Sequence, residues 1–171
     1  MIGFMVVVEM VQQNSEKFWE SYQMKELKAQ LLSVVRLTGT VISEDQIQIL
    51  DRGVPHKPAG LPRGKMGIYS FVYQDEFLKI GKVGPNSNAR FRSQHYVPTS
   101  SQSNLAKSIL NDPDFKCFNL TEDIVGDWIK QNIRRIDFII DASLGIFVLN
   151  LIEAFLHLKF KPKYEGYKSQ R

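Results

Sequence analysis

The stretch KMGIYSFVYQDEFLKIGKV, residues 65–83, restricts the fold more tightly than any other part of the chain. Two runs rich in β-branched and aromatic residues, 66–73 and 77–83, flank the polar triplet Gln74-Asp75-Glu76, which predicts an antiparallel hairpin. Side chains alternate across a strand, so Gly67, Tyr69, Phe71 and Tyr73 share one face while Ile68, Ser70 and Val72 share the other. With a three-residue turn, Phe71 opposes Lys79 and Tyr69 opposes Gly81. Tyr69 and Lys79 are then diagonal neighbours on one face, and Gly81 leaves room over the phenol. A two-residue turn would shift the register and break this match.

Around the hairpin, Asn14-Ser15 reads as a helix cap, and residues 17–36 carry helical spacing in Phe18, Tyr22, Leu27, Leu31 and Val35, ended by Gly39. ISEDQIQIL, residues 42–50, reads as a short helix starting after Ser43. DRGVPHKPAGLPRGK, residues 51–65, holds three prolines and three glycines. Such a segment forms no regular element, so a linker is expected there. The chain thus divides into an N-terminal helical extension with its linker, 1–64, and a second domain, 65–171. In that domain Gly84-Pro85-Asn86-Ser87 leads into a short helix over 88–96. Another helix covers 104–110 and stops before Pro113. Thr121 caps a third, with Glu122 and Asp123 in the first turn, where the helix dipole favours acids. Residues 135–140 read as a strand and 144–160 as a strongly apolar helix. The order β-β-α-α-α-β-α predicts an α/β domain with a small three-stranded antiparallel sheet flanked by helices.

The chain has 171 residues, 43% of them hydrophobic, enough to bury a core and too many for a disordered protein. Its one cysteine, Cys117, permits neither an internal disulfide nor a cysteine zinc site and fits a reducing cytosol. Residues 1–60 hold 6 Lys/Arg against 7 Asp/Glu, whereas residues 61–171 hold 16 against 11. The basic excess therefore lies with the hairpin and favours phosphate-bearing partners. The apolar start MIGFMVVVEMV has no basic residue before it, is interrupted by Glu9, and falls short of the about 20 apolar residues of a membrane span. Neither a signal peptide nor a membrane association is expected, and the expected location is cytoplasmic.

Several side chains could carry chemistry. Glu153 is the only acid between Ser143 and Tyr164. A carboxylate on the buried face of so apolar a helix must be paired, hydrogen-bonded or metal-bound; on a polar edge beside Asn150 and His157 it would be solvated and inert. Tyr69 beside Lys79 is either an ordinary strand tyrosine or a phenol whose ionisation the ammonium favours, as suits a general base. Arg90 and Arg92 follow a loop and helix start able to receive an anion, with guanidinium forks shaped for phosphate oxygens; the alternative is a solvated helix anchored by Phe91. His95 and Tyr96 close that helix. GLPRGKM, residues 60–66, is no phosphate loop, having three residues between its glycines and Met where Ser or Thr would hold magnesium. Asp137 and Asp141 read as flanking acids at strand ends.

Taken together, these pieces resemble the GIY-YIG nuclease superfamily over residues 65–167. The named motif is present as Gly67-Ile68-Tyr69, nine residues, then Lys79-Ile80-Gly81. The family arginine falls on Arg90, and its metal-binding glutamate on Glu153. Three positions depart from the pattern. Lys79 replaces the second motif's tyrosine. Gln94 holds the place of a histidine or tyrosine, with His95 and Tyr96 next. Glu165 is the nearest candidate for a terminal asparagine.

The resemblance implies hydrolysis of DNA phosphodiesters with one Mg²⁺ or Mn²⁺ on Glu153. It casts Tyr69 as base, aided by Lys79 or Lys82, Arg90 as phosphate clamp, and His95 as a further catalytic candidate. Lys65, Lys82, Arg90 and Arg92 would contact DNA. A single site cuts one strand, so double-strand cleavage would need a homodimer or two binding events. The competing expectations are a nucleic-acid-binding module that keeps the fold without cleavage, and an interaction protein whose residues 1–60 bind a partner helix.

Overall fold

The computed structural model describes residues 23–101 and 103–164. The chain divides into two compact units, Met1–Val41 and Ile42–Arg171. In the first, residues 23–36 form helix α1, with Leu27, Leu31, Leu32 and Val35 buried along one face. Gly39, at φ +80°, takes the left-handed conformation that ends it. The expected cap at Asn14-Ser15 and the start of that helix lie outside the described residues.

The second unit is built on a four-stranded antiparallel sheet, one strand more than expected. Its strands are β1 (Ile47–Gly53), β2 (Lys65–Tyr73), β3 (Glu76–Val83) and β4 (Arg134–Asp141), in the order β1-β4-β2-β3. The added strand corrects the helix expected over 42–50. Ser43 does begin a helical turn: the Gln46 side-chain oxygen accepts from the Ser43 amide at 3.1 Å, as in a capping box. The turn lasts only over Glu44–Gln46. Beyond it Ile47 and Ile49 alternate with polar Gln48, and this period of two pairs them with Ile140 and Phe138 of β4. The segment read as linker therefore begins inside a strand.

The hairpin reaches the expected register by an unexpected route. Its turn has two residues, Gln74 and Asp75, at φ 48° and 64°, the positive values of a type I′ connection, with Tyr73 paired to Glu76. A bulge follows: Val72 pairs with Phe77 but Phe71 with Lys79, leaving Leu78 as the extra residue. Leu78 turns into the core, and the inserted residue restores Tyr69 opposite Gly81.

The sheet has two unlike faces. Tyr69, Phe71, Lys79, Gly81, Arg135, Asp137 and Ile139 share one by register. Helices α2 (Asn88–Arg92), α3 (Leu105–Leu110) and α4 (Val125–Asn132) supply the apolar cluster on it, through Phe91, Leu105, Ile109, Val125 and Ile129. The helix expected over 88–96 is α2 followed by a separate 3-10 turn, Gln94–Tyr96. Helix α4 starts later than expected; the Thr121 carbonyl, not its side chain, receives the Val125 amide at 3.0 Å. A 3-10 turn over Pro113–Phe118, unforeseen in the sequence, adds Phe115 to the cluster.

Ile68, Ser70, Ile80, Lys82, Ile136, Phe138 and Ile140 point to the other face. Helix α5 (Gly145–Phe160) buries Val148, Leu149, Ile152 and Leu156, and its Phe160 stacks on Phe77 of β3 with ring centroids 4.0 Å apart. Residues Ala142–Phe160 have the length and mean hydropathy, 1.5, to cross a membrane by composition. After α5 the chain turns at Lys161 and runs beside β3, where the Lys163 and Tyr164 amides donate to the Phe77 and Leu78 carbonyls at 2.9 and 2.8 Å.

Candidate functional site

The bulged hairpin holds Tyr69 fully buried, its ring lying across Gly81 of the edge strand. A Cβ at residue 81 would fall 2.3 Å from the phenol oxygen, so only glycine admits the ring there. The His95 ring packs on Tyr69 at 4.3 Å between centroids, and Phe91 meets it edge-on at 6.4 Å. Lys79, two residues along the same face, is 5% exposed; its ammonium donates to Ser103 Oγ at 3.2 Å and to the Tyr164 carbonyl at 3.3 Å.

His95 has a definite tautomer. Its Nδ1 accepts the Leu105 amide at the start of α3, 3.3 Å away, which leaves the proton on Nε2. That buried Nε2 has no hydrogen-bond partner among the described residues. Burial, then the charges of Lys79, Arg90 and Arg135, hold the imidazole well below its ordinary pKa. The ring is therefore neutral, able to donate a hydrogen bond from Nε2 and unable to accept a proton there. Arg90 and Arg92, on α2, are exposed.

The structure thus gathers Tyr69, Lys79 and His95 on one sheet face, with Arg90 close enough to act on His95. It does not bring Glu153 to them. Glu153 projects from α5 toward the opposite face and forms an ion pair with Lys82, the residue after Gly81. Strand alternation is the cause: the same step that points Gly81 to Tyr69 points Lys82 away. Lys65 is paired with Asp141 at 2.9 Å. The Ser143 amide and the Lys65 ammonium together draw the Asp141 carboxyl down to about 2. Glu165 lies outside the described residues.

Asp137 corrects the reading as a flanking acid. Strand β4 starts at Arg134, which places Asp137 mid-strand, fully buried and level with Tyr69. Arg135 Nε donates to Asp137 Oδ1 at 2.8 Å, and Arg52 Nε to Oδ2 at 2.9 Å. Arg135 also donates to the Tyr96 hydroxyl at 2.9 Å and the Phe91 carbonyl at 2.7 Å. The network ends at His56, whose Nδ1 lies 2.7 Å from the Ile133 carbonyl and whose Nε2 lies 2.8 Å from Tyr96 Oη. Since a carbonyl only accepts, Nδ1 carries the proton and Tyr96 donates to Nε2. Burial, ahead of the charge of Arg135, lowers the His56 pKa. These groups pin the segment after β1 and the last turn of α2 to the sheet. The spacing of Arg135 and Asp137, two apart on one strand, was the signal for it; nothing in the Pro-rich segment marked His56.

No group of three His, Cys, Asp or Glu side chains among the described residues could hold a metal ion. Glu153 provides one partly buried carboxylate, 18% exposed. Such a donor fits a hard divalent ion in one mode, where a single carboxylate anchors it and water with phosphate oxygens fills the shell.

No protein-family model, no curated protein and no solved structure matches the chain. The class that fold and site define is a small α/β domain whose antiparallel sheet carries a buried phenol, imidazole and ammonium on one face. On the other face, a lysine–glutamate pair is held at the edge strand.

Proposed function

We propose that the unit Ile42–Arg171 is a metal-dependent endonuclease of the GIY-YIG type, hydrolysing DNA phosphodiester bonds. The observation that carries this reading is the register Tyr69 opposite Gly81, with Lys79 one same-face position along. It lays a phenol across the side-chain-free residue of an edge strand, with the buried Lys79 on the same face. In this reading the phosphate is engaged at the β3 edge. Arg90 binds its non-bridging oxygens with a planar fork. His95, fixed as an Nε2–H donor, adds a hydrogen bond, and Tyr69 takes the proton of the attacking water. Glu153 would hold Mg²⁺ or Mn²⁺, which when bound supplies charge neutralisation to the leaving oxygen.

A second reading has its own observation. Tyr69 is 0% and Lys79 5% exposed, and Glu153 is paired on the opposite face, an arrangement suited to binding nucleic acid without cutting it. One experiment separates the two. Supercoiled plasmid is incubated with the full chain in Mg²⁺, Mn²⁺ or chelator, beside Glu153→Ala and Tyr69→Phe. Metal-dependent nicking lost in both variants is the expected result. Salt-sensitive DNA binding with no cleavage by a folded protein would overturn the nuclease reading in favour of the second.

A further inference from the structure

Helix α5 is apolar on nearly every side, yet the sheet covers only one of them. Val148, Leu149, Ile152 and Leu156 are buried on that side. On the opposite side Phe147 and Leu158 stand 83% and 76% exposed, with exposed Ala154 and half-buried Leu151 between them. A helix apolar all round calls for cover all round. These four residues are spaced 4-3-4, the heptad alternation by which one helix seats against another. With the flank of Phe155 they leave roughly 400 Å² of apolar surface, the size at which an exposed patch marks a contact site. The composition of Ala142–Phe160 would suit a membrane span, but the sheet packed on its inner side has open edges, which have no place in hydrocarbon.

We propose that this stripe is a two-fold interface, at which α5 pairs antiparallel with α5 of a second copy of the chain. The stripe is self-complementary in that arrangement. An axis midway along it sets Phe147 of each copy beside Leu158 of the other, and Leu151 beside Ala154. Large meets small at the centre, where the alanine lets the two helices come close. Charge selects the direction. Glu153 and Lys159 are the only Asp, Glu, Lys or Arg on the helix, and Glu153 is tied to Lys82. A parallel pair would set the two Lys159 ammoniums abreast. The antiparallel pair sets them about 20 Å apart along the axis and opposes the helix dipoles. A closed two-fold contact uses the patch once on each copy and buries about 800 Å² in total, the scale of a weak, reversible dimer. Helix α5 lies on the sheet face away from Tyr69, and the contact stands or falls independently of the nuclease reading.

The test is equilibrium sedimentation of the full chain at physiological salt, over the micromolar range that so small an interface implies. A reversible monomer–dimer equilibrium is expected. Phe147→Glu and Leu158→Lys should each weaken it at least about tenfold, since each places an unpaired charge at two symmetry-related points of the contact. Both side chains are exposed in the single chain, so urea unfolding of the two variants at monomeric concentration should match the unmodified protein. The chain carrying both substitutions should recover association to within about threefold of the unmodified protein, because the introduced carboxylate of each copy then meets the introduced ammonium of the other. In a parallel pair the same double variant would set like charges abreast and stay monomeric. A chain that is monomeric throughout, or a dimer that either single variant leaves unchanged, refutes the interface. A double variant no better than the singles refutes the antiparallel seam. Flotation of the unmodified protein with anionic phospholipid vesicles, lost in both single variants and unaccompanied by self-association, would assign the face to a lipid surface and overturn the proposal.

Discussion

Replacing Gly81 with alanine probes the register on which the site depends. The added methyl carbon would lie 2.3 Å from Tyr69 Oη, 2.6 Å from Cζ and 3.0 Å from Cε2. All three atoms belong to one rigid phenol, and its ring is enclosed by Phe71, Phe91 and His95 at centroid distances of 5.9, 6.4 and 4.3 Å. The ring cannot tilt away without displacing one of them. Overpacking of this kind costs about 1–3 kcal/mol. Opposing it, alanine is better than glycine in a strand interior by about 0.5–1 kcal/mol. The decisive measurement is a double-mutant cycle in urea unfolding with Tyr69→Val, which shortens the side chain while keeping strand propensity. With Tyr69 intact Gly81→Ala should destabilise; combined with Tyr69→Val it should be neutral or stabilising, a coupling of about 1–3 kcal/mol. An equal effect in both backgrounds would show that the phenol does not cross Gly81, and the bulged register would be wrong.

Asp137→Asn should cost about 3–5 kcal/mol, because it leaves the buried Arg135 guanidinium uncompensated; urea unfolding measures it, and a loss under about 1 kcal/mol would refute the paired network. Stability should also fall on acidification through the ordinary histidine range. His56 and His95 both have native pKa values below the ordinary 6.5, so below that pH the unfolded chain binds more protons than the native one. The loss is absent well above pH 6.5 and, below it, grows by up to about 1.4 kcal/mol per pH unit for each histidine until its native pKa is reached. A flat urea-unfolding profile from about pH 7.5 to 5.5 would mean the two rings ionise freely in the fold.

The hairpin, the helices over 104–110 and 144–160 and the last strand were legible because each combines a clear period with clear punctuation. Ile47–Gly53 was not, since SEDQ is a genuine helix-start signal and the strand runs on into the Pro/Gly-rich segment. The turn length was also misread. Gln74, unlike Asp75, is not a residue that advertises positive φ, and a bulge at Leu78 leaves no compositional mark. Of the site, Tyr69, Lys79 and His95 were found from alternation and sequence proximity. The Lys82–Glu153 pair joins residues 71 apart, a contact that depends on how α5 packs on the sheet. His56, and its contact with Tyr96, escaped for the same reason: hydrogen-bond partners across 40 residues are set by tertiary packing, not by local pattern.

The separation of Tyr69 from Glu153 follows from the motif itself. In Lys79-Ile80-Gly81-Lys82 the first and third residues share one sheet face and the second and fourth the other. A phenol opposite Gly81 and a carboxylate paired to Lys82 must therefore lie on opposite sides of β3, whatever the helices do. Groups so divided can act on one phosphate only where the strand has an outer side to go around. In an interior strand a neighbour would block that path; at an edge the thickness of one backbone separates the two faces. The observed order β1-β4-β2-β3 leaves β3 the outermost strand, with the chain after α5 hydrogen-bonded beside its Phe77–Leu78 end. Glycine at 81 meets the second condition, being the one residue of that turn of pleat with no side chain between the phenol and the edge. Hence the added strand, which altered the expected sheet, leaves the edge on which the proposed site depends unaltered.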